Sequence, residues 1–390
     1  MPHILKEKVI SMEIHIVTAG DTVFSIANAY QIPADTIIYN NQLIYPYTLV
    51  VGQALLLSTP SSSDSATFAT TNGYAYPFIN PWVLEQTLPY LSRLSVFSYG
   101  FTTEGVLIPP LVNDDFMISQ ALANRAAPFL TLTPFDASGR FNNNLISRII
   151  NNRQARTQLI NNLVSTVTEK GFQGVDIDFE YILAEDRIGF AEFVAEVRTA
   201  INTLGYPVTV ALAPKTSDDQ PGLLYEGKDY ALLGEAADEV LLMTYEWGYT
   251  YGPPMAVAPI NNVRRVVEYA LTRIPREKIN LGIPNYGYDW PLPFVSGVTA
   301  ATTIGNIEAV TIAANNGAAI QFDETAMSPF FTYTRDGIEH EVWFEDVRSM
   351  QAKFNLVKEY QLKGMGYWQI MRFFRGNWLL LADRFLIVKS

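Results

Sequence analysis

From residue 73 to residue 390 the chain alternates short apolar runs with amphipathic stretches of helical period. Eight runs read as strands: Gly73–Asn80, Leu94–Phe101, Pro128–Pro134, Gly174–Tyr181, Val208–Pro214, Glu239–Glu246, Ile279–Tyr286 and Gly364–Ile370. Between several of them, apolar side chains recur at helical spacing over Arg153–Lys170, Arg187–Thr203, Val263–Arg273 and Val347–Gln361. A helix between two strands carries the chain back to the same end of the sheet, which makes the strands parallel. Eight such units predict an α/β fold of the (β/α)8 barrel type. The connection from Asp289 to about Phe344 is too long for a plain crossover. It holds strand-like pieces at Ala319–Asp323, Phe330–Thr334 and Glu339–Phe344 and a helical piece at Thr303–Asn315. These predict a small α+β subdomain, about residues 291–344, inserted after the seventh strand.

Residues 13–58 form a separate pattern. A short strand at His15–Val17 leads into a turn, where Asp21 is placed to cap a helix carrying Val23, Ile26 and Ala27. A second helix is predicted over Pro33–Asn40 and a closing strand over Leu49–Leu57, interrupted at Gly52-Gln53. The result is a βααβ unit. Small polar residues dominate 60–72, so residues 59–72 read as a linker to the barrel region, 73–390.

Composition narrows the function. Net charge is −12, which argues against a nucleic-acid partner, because phosphate binding relies on Lys and Arg. It also disfavours anionic membrane surfaces, and no run approaches the ~20 apolar residues of a membrane span. The N-terminal residues carry Lys6 and Lys8 but no apolar core of a signal peptide, and Met12 reads as an alternative start. On this reading the protein is made in the cytoplasm. Cysteine is absent, which excludes disulfides, thiolate catalysis and Cys-type zinc sites. The three histidines, His3, His15 and His340, are scattered, so neither a His-based metal site nor a Ser-His-Asp triad is expected. His15 and His340 are expected at the surface. No cofactor motif is present. The aromatic share of 13% serves either a packed core or stacking on flat sugar faces.

The run with the most chemistry is Gly174-Val175-Asp176-Ile177-Asp178-Phe179-Glu180-Tyr181. Side chains alternate along a strand, so Val175, Ile177 and Phe179 face the helices while Asp176, Asp178 and Glu180 face the barrel interior. Three carboxylates on one inward face are costly to desolvate and repel one another, so they titrate as a coupled set. Glu180, at the C-terminal strand end, lies on the face where barrel enzymes work. An exposed strand with acids in water, or a divalent-metal site, would use the same residue types.

The spacing resembles the Asp-Gly-x-Asp-x-Asp-x-Glu signature of glycoside hydrolase family 18, with Gln173 in place of the first Asp. Met243-Thr244-Tyr245-Glu246 resembles the family's Met-x-Tyr-Asp word, with Glu246 replacing Asp. Leu281–Gly287 and Gly366-Tyr367-Trp368 resemble its seventh- and eighth-strand words. Residues 13–58 are similar to a LysM domain, through Ala19-Gly20-Asp21-Thr22, Ser25-Ile26-Ala27, Asn41 and Gly52-Gln53-Ala54-Leu55. The stretch 243–254 joined to a LysM domain looks most like the spore cortex-lytic N-acetylglucosaminidases of endospore formers.

The resemblance implies a retaining, substrate-assisted glycosidase acting on peptidoglycan or a chitin-like glycan at the spore coat, cortex or cell wall. It implies Glu180 as proton donor, Asp178 orienting the substrate acetamido group, Asp176 sharing a proton with Asp178, and Tyr245 bonding the acetamido oxygen. It implies Trp368 under the sugar, with Tyr286, Glu246, Tyr99 and Met243 contacting substrate. A chitin hydrolase and a non-catalytic lectin share the same barrel; retention of Glu180 favours an enzyme.

Overall fold

The computed structural model describes residues 10–60, 67–136 and 138–389, so His3, Lys6 and Lys8 lie outside the described residues. The eight barrel strands are Thr67–Ala75, Arg93–Phe101, Ala127–Leu132, Val175–Ile177, Val208–Leu212, Glu239–Leu242, Ile279–Pro284 and Gly364–Trp368. Every neighbouring pair is parallel, and the eighth strand pairs with the first (Gly364 opposite Thr70), which closes the ring.

Two strand boundaries differ from the apolar pattern. Residues 67–72, read as linker, form the first two thirds of the first strand. Their threonines are small and polar, which mimics a linker, but β-branched, which suits a strand. At the other end, Asp178–Tyr181 and Met243–Glu246 have left the regular ladder. The strands splay there, and these residues become the rim of the barrel. Short helices at Pro81–Thr87, Asp115–Ala123, Asn144–Asn151, Tyr230–Ala236 and Arg375–Arg384 complete the outer layer. Among the described residues no helix is long and apolar enough to cross a membrane.

The floor of the barrel is polar but neutralised. Arg93 and Glu239 form an ion pair, Asn280 Nδ2 donates to Glu239 at 2.9 Å, and Thr70 Oγ1 donates to Asn280 at 2.9 Å. Buried charges are tolerated when paired and hydrogen-bonded in this way. Above the floor, large side chains face glycines: a Cβ on Gly174 would lie 2.4 Å from the Phe129 ring.

On the outside of the fourth strand, Phe179 stacks on Phe190 and Phe193, with ring centroids 5.7 and 5.8 Å away. Tyr99 also faces outward. Its hydroxyl donates to Asp114 at 2.6 Å and its ring meets the edge of Phe172. It belongs to the packing of helices on the barrel, which corrects the expectation that it contacts substrate.

The inserted subdomain starts earlier than expected. Gly287–Pro291 is its first strand, in a five-stranded antiparallel sheet with Thr302–Ile304, Ile338–Trp343, Ser328–Arg335 and Gln321–Asp323, covered by the helix Asn306–Asn315. His340 is buried here, not at the surface. Its Nδ1 lies 2.7 Å from Asp289, its ring stacks on Tyr333, and Tyr333 also donates to Asp289 at 2.6 Å. The flanking Glu339 and Glu341 made the position read as solvated, whereas strand alternation turns His340 inward.

The N-terminal unit pairs Ile10–Ile16 with Ala54–Pro60 and holds helices at Val23–Tyr30 and Ala34–Asn40. The helix cap is Thr22, in a reciprocal pair with Ser25 at 3.0 and 2.9 Å. Asp21 instead accepts from Thr18 N at 2.7 Å and lies 3.1 Å from the half-buried His15. Residues 49–53 form a turn, not a strand.

That turn docks the unit on the insertion. Val50 is buried with Ile320 and Phe331, Ile320 N donates to Val51 O at 2.9 Å, and Arg348 donates to Gly52 O at 3.1 Å. On the C-terminal helix, Arg375 N donates to Gln42 at 2.6 Å, and its guanidinium lies 4.0 Å from the Tyr39 ring centroid. Gly52 has φ +84°, and a Cβ there would be 1.8 Å from Ile320 O.

Gly52→Val should therefore weaken docking by at least about 1 kcal/mol and expand the protein in small-angle scattering. An unchanged radius and melting temperature would contradict this interface. Tyr99→Phe should lower stability to urea by about 1–2 kcal/mol and leave KM unaltered. A several-fold rise in KM would return Tyr99 to the groove.

Candidate active site

The fourth strand places its acids as the alternation requires. Asp176 is fully buried in the barrel, Asp178 lies above it with 7% exposure, and Glu180 is half-buried at the mouth. Thr209 Oγ1, across from Asp176 on the fifth strand, donates to Asp176 Oδ1. Asp176 Oδ2, Asp178 Oδ1 and the Tyr74 hydroxyl are buried without a hydrogen-bond partner among the described residues.

The electrostatics follow from this crowding. Burial pushes the Asp176 carboxyl up to about 6, against the pull of Thr209 and Tyr74. Asp178 is raised well above the ordinary carboxylate range, first by burial and then by the charges of Glu180 and Asp176. Burial also raises Glu180, while the nearby Lys228 ammonium lowers it. The site thus holds protons at a pH where exposed carboxylates have lost them.

Strand six supplies the opposite wall. Met243 and Tyr245 follow the end of the ladder at Leu242, and Met243 N still donates to Leu212 O at 2.9 Å. Leu241 packs with Tyr74 and Phe97 inside the barrel, and Tyr245 packs on the cluster of Tyr286 and Tyr288. Tyr245 is half-buried, and burial followed by the charges of Asp178 and Glu180 raises its phenol well above the usual range. Glycine at position 282 makes room for it, since a Cβ there would lie 2.8 Å from the Tyr245 ring.

Glu246, exposed beyond the end of the sixth strand, takes a left-handed backbone, φ 67°. The buried Tyr286 donates to its carboxylate, and Tyr288 does so at 2.9 Å. Burial and the Glu180 charge raise Glu246 despite those two bonds.

Trp368 ends the eighth strand half-buried, with its ring 4.9 Å from Phe97, 5.9 Å from Tyr74 and 6.2 Å from Tyr76. It also touches the cluster containing Tyr286 and Tyr288 and so forms a floor between both walls. From there an apolar cavity of about 380 Å³ extends past Tyr76, Phe97 and Phe135 to Phe78 and Leu111. A wider polar depression of about 980 Å³, between Thr103, Asn144, Arg148 and Gln158, contains none of these groups.

Of the residues expected to act together, the structure gathers Asp176, Asp178, Glu180, Tyr245, Glu246, Tyr286 and Trp368, sets Met243 just past the end of the sixth strand, and leaves out Tyr99. Tyr74, Tyr76, Phe97, Thr209, Lys228 and Tyr288 were missed. Tyr74 and Tyr76 alternate within the first predicted strand run, and Phe97 does so in the second, a signal that inward-facing aromatics could have given. Lys228 carried none, since it sits in a polar loop. No group of three or more His, Asp or Glu among the described residues is placed to hold a metal ion.

The comparisons agree with this geometry. Residues 137–372 match the glycosyl hydrolases family 18, and residues 15–58 match the LysM domain. The cortical fragment-lytic enzyme of Bacillus subtilis is 36% identical over 97% of this chain and 99% of its own. The crystal structure of the Bacillus cereus spore cortex-lytic enzyme SleL superposes with a TM-score of 0.92 at 32% identity, covering 97% of this chain and 99% of that one. A chitinase from Chromobacterium violaceum shares the barrel at 26% identity and a TM-score of 0.75, over 81% and 98% of the two chains. With a closed barrel, acids aligned on its fourth strand and these relatives, the chain belongs to glycosyl hydrolase family 18 and is a glycosidase carrying a LysM domain.

Proposed function

We propose that the protein hydrolyses the β-1,4 bond next to N-acetylglucosamine in spore cortex peptidoglycan, with retention of configuration and with the substrate's own acetamido group as nucleophile. The observation that carries this reading is Asp178. Its Oδ1 is buried and unpartnered beside a half-buried Glu180, so an acceptor waits next to an acid. An acetamido N–H is a donor of the right kind for that acceptor.

In this mechanism Glu180 protonates the glycosidic oxygen as the bond to the anomeric carbon breaks. The acetamido carbonyl oxygen closes on that carbon to give an oxazolinium ion. Asp178 accepts the acetamido N–H and offsets the positive charge that develops there. Asp176, held by Thr209, shares a proton with Asp178. Tyr245 donates to the acetamido oxygen, and Trp368 supports the sugar ring. Glu180 then takes a proton from the incoming water, which opens the ring on the original face. Glu246, fixed by Tyr286 and Tyr288, and Met243 contact the sugar from the opposite wall.

The cortex substrate rests on the relatives named for cortical fragments and spore cortex lysis and on the LysM domain. A site of action at the spore cortex follows from the same names. The test is product analysis by mass spectrometry after incubation with purified cortex fragments and, separately, with chitin oligomers. New reducing ends at N-acetylglucosamine from cortex support the proposal. Cleavage of chitin alone reassigns the substrate, and no cleavage of either leaves a glycan-binding protein.

Glu180→Gln keeps the shape and removes the proton, so turnover should fall by about 100- to 10,000-fold. Near wild-type hydrolysis by this variant would end the assignment. The rate should trace a bell against pH. Activity needs one proton on the coupled pair: it is lost on the acid side as the pair takes up a second proton, and on the alkaline side as the pair gives up its last. Because both groups are raised, both limbs should lie above the ordinary carboxylate range. A flat profile between about pH 4 and 9 contradicts the mechanism.

A further inference from the structure

Lys228 lies between the fifth strand and the helix Tyr230–Ala236 and is completely buried. An ammonium is expensive to desolvate without compensation. Its one hydrogen bond among the described residues runs from Nζ to the Ala211 carbonyl at 2.7 Å.

The place of that carbonyl is informative. Strands four and five pair in parallel with Asp176 opposite Thr209, and Val175 N donates to Pro207 O at 3.2 Å. Each ladder step advances two residues on both strands. Continued upward, the ladder would bring Phe179 N to Ala211 O. The regular pairing stops at Ile177, and the Lys228 ammonium takes the acceptor instead. It therefore fills the gap where strands four and five part, at the level of Phe179, with Asp178 on one side in sequence and Glu180 on the other.

The loop is held there. A Cβ on Gly227 would lie 2.2 Å from Ile182 O, so the loop presses on the segment just after Glu180. Lys215 Nζ donates to the Lys228 carbonyl at 2.9 Å, and the Phe190 ring centroid is 5.9 Å from Lys228 Nζ.

We propose that Lys228 is a positioning residue for the hydrolysis, its ammonium serving as the counter-charge for the single negative charge that Asp178 and Glu180 share. This deepens the reading of those two acids as the catalytic pair and rests on it. The pair carries one negative charge when it holds a single proton, and a fixed cation beside it favours that state over the doubly protonated one. The reciprocal effect is visible on the lysine. Burial lowers it to about 8, while Asp178, Glu180 and Asp176 pull it back up. The other charged or titratable groups around the acids are Arg93 below Asp176, Lys215 and Asp229 beside the loop, and Tyr74, Tyr76, Tyr245 and Glu246 across the groove. Of these cations, Arg93 is paired with Glu239, and Lys215 donates to the carbonyls of Asp218 and Lys228.

The test is the pH profile of kcat for Lys228→Met and Lys228→Arg on cortex fragments, with Glu180→Gln as reference. Loss of the cation raises both carboxyls, so in Lys228→Met both limbs of the bell should move to higher pH by about 1–2 units. Lys228→Arg should bring them back toward wild type, and KM should change little in either. A purely structural role for Lys228 would lower kcat without moving the limbs, and that result overturns the proposal. If Lys228→Met does not fold, adding Asp178→Asn should restore a cooperative melting transition, because it removes the charge left uncompensated; absence of rescue also overturns it. Full activity in Glu180→Gln is a different failure, since it removes the catalytic pair itself.

Discussion

Everything near the groove depends on one constraint: three acids alternate along one segment, two of them buried in a ring of protein where water cannot solvate them and the third half-buried at its mouth. A barrel lined by apolar side chains would be more stable. Here Thr209 satisfies one oxygen of Asp176, Tyr74 lies beside it, and Lys228 offers positive charge from between two strands. The compensation stops short of completion, since Asp176 Oδ2 and Asp178 Oδ1 keep no partner. A fully satisfied network would have nothing left with which to hold a substrate amide, and its acids would have ordinary affinities for protons. Incomplete satisfaction is what turns a destabilising cluster into a site with protons available at its mouth.

The rim carries this constraint outward. Gly287–Pro291 has two faces. Tyr288 on one reaches Glu246 in the groove, while Asp289 on the other accepts from Tyr333 and lies against His340 in the subdomain core. That core also contains Val50 of the LysM domain, next to Ile320 and Phe331. A continuous set of packed contacts thus runs from the LysM domain, through the inserted sheet, to the residue facing the acids of the fourth strand. The linker composition around 59–72 leaves room for a tethered module; the close fit of Gly52 on Ile320 describes a docked one.

The sequence carried the barrel because eight apolar runs and their helices have periods that little else produces. It carried the acids because alternation along a strand needs only the residue order. Strand ends were less legible. The apolar run continues through Tyr181 and Glu246, whereas the ladder stops where strands splay, and splaying is decided by neighbours distant in sequence. Tyr99 shows the same limit: the backbone shifts register between Val96 and Tyr99, which turns Tyr99 outward while Phe97 stays inside, and no local pattern announces that shift. His340 was misread because its flanking glutamates dominate the local pattern. Thr209 and Lys228 were invisible, since a threonine in a strand and a lysine in a polar loop are ordinary until the fold brings them to the acids.

The chain buries another lysine, and the comparison sharpens what Lys228 does. Lys353 is as deeply buried as Lys228, but it donates to Glu345 at 2.8 Å in an ion pair closed off beneath the LysM domain. There each charge neutralises the other, and the pair ties the helix Val347–Glu359 to the end of the inserted sheet. Lys228 donates to a neutral carbonyl and has no single carboxylate to itself. A lysine locked to Asp178 would fix its charge but occupy its unpartnered oxygen. Bound to the backbone a step away, the ammonium can favour a negative charge anywhere on the pair without blocking either member, and the proton remains free to move as the reaction proceeds.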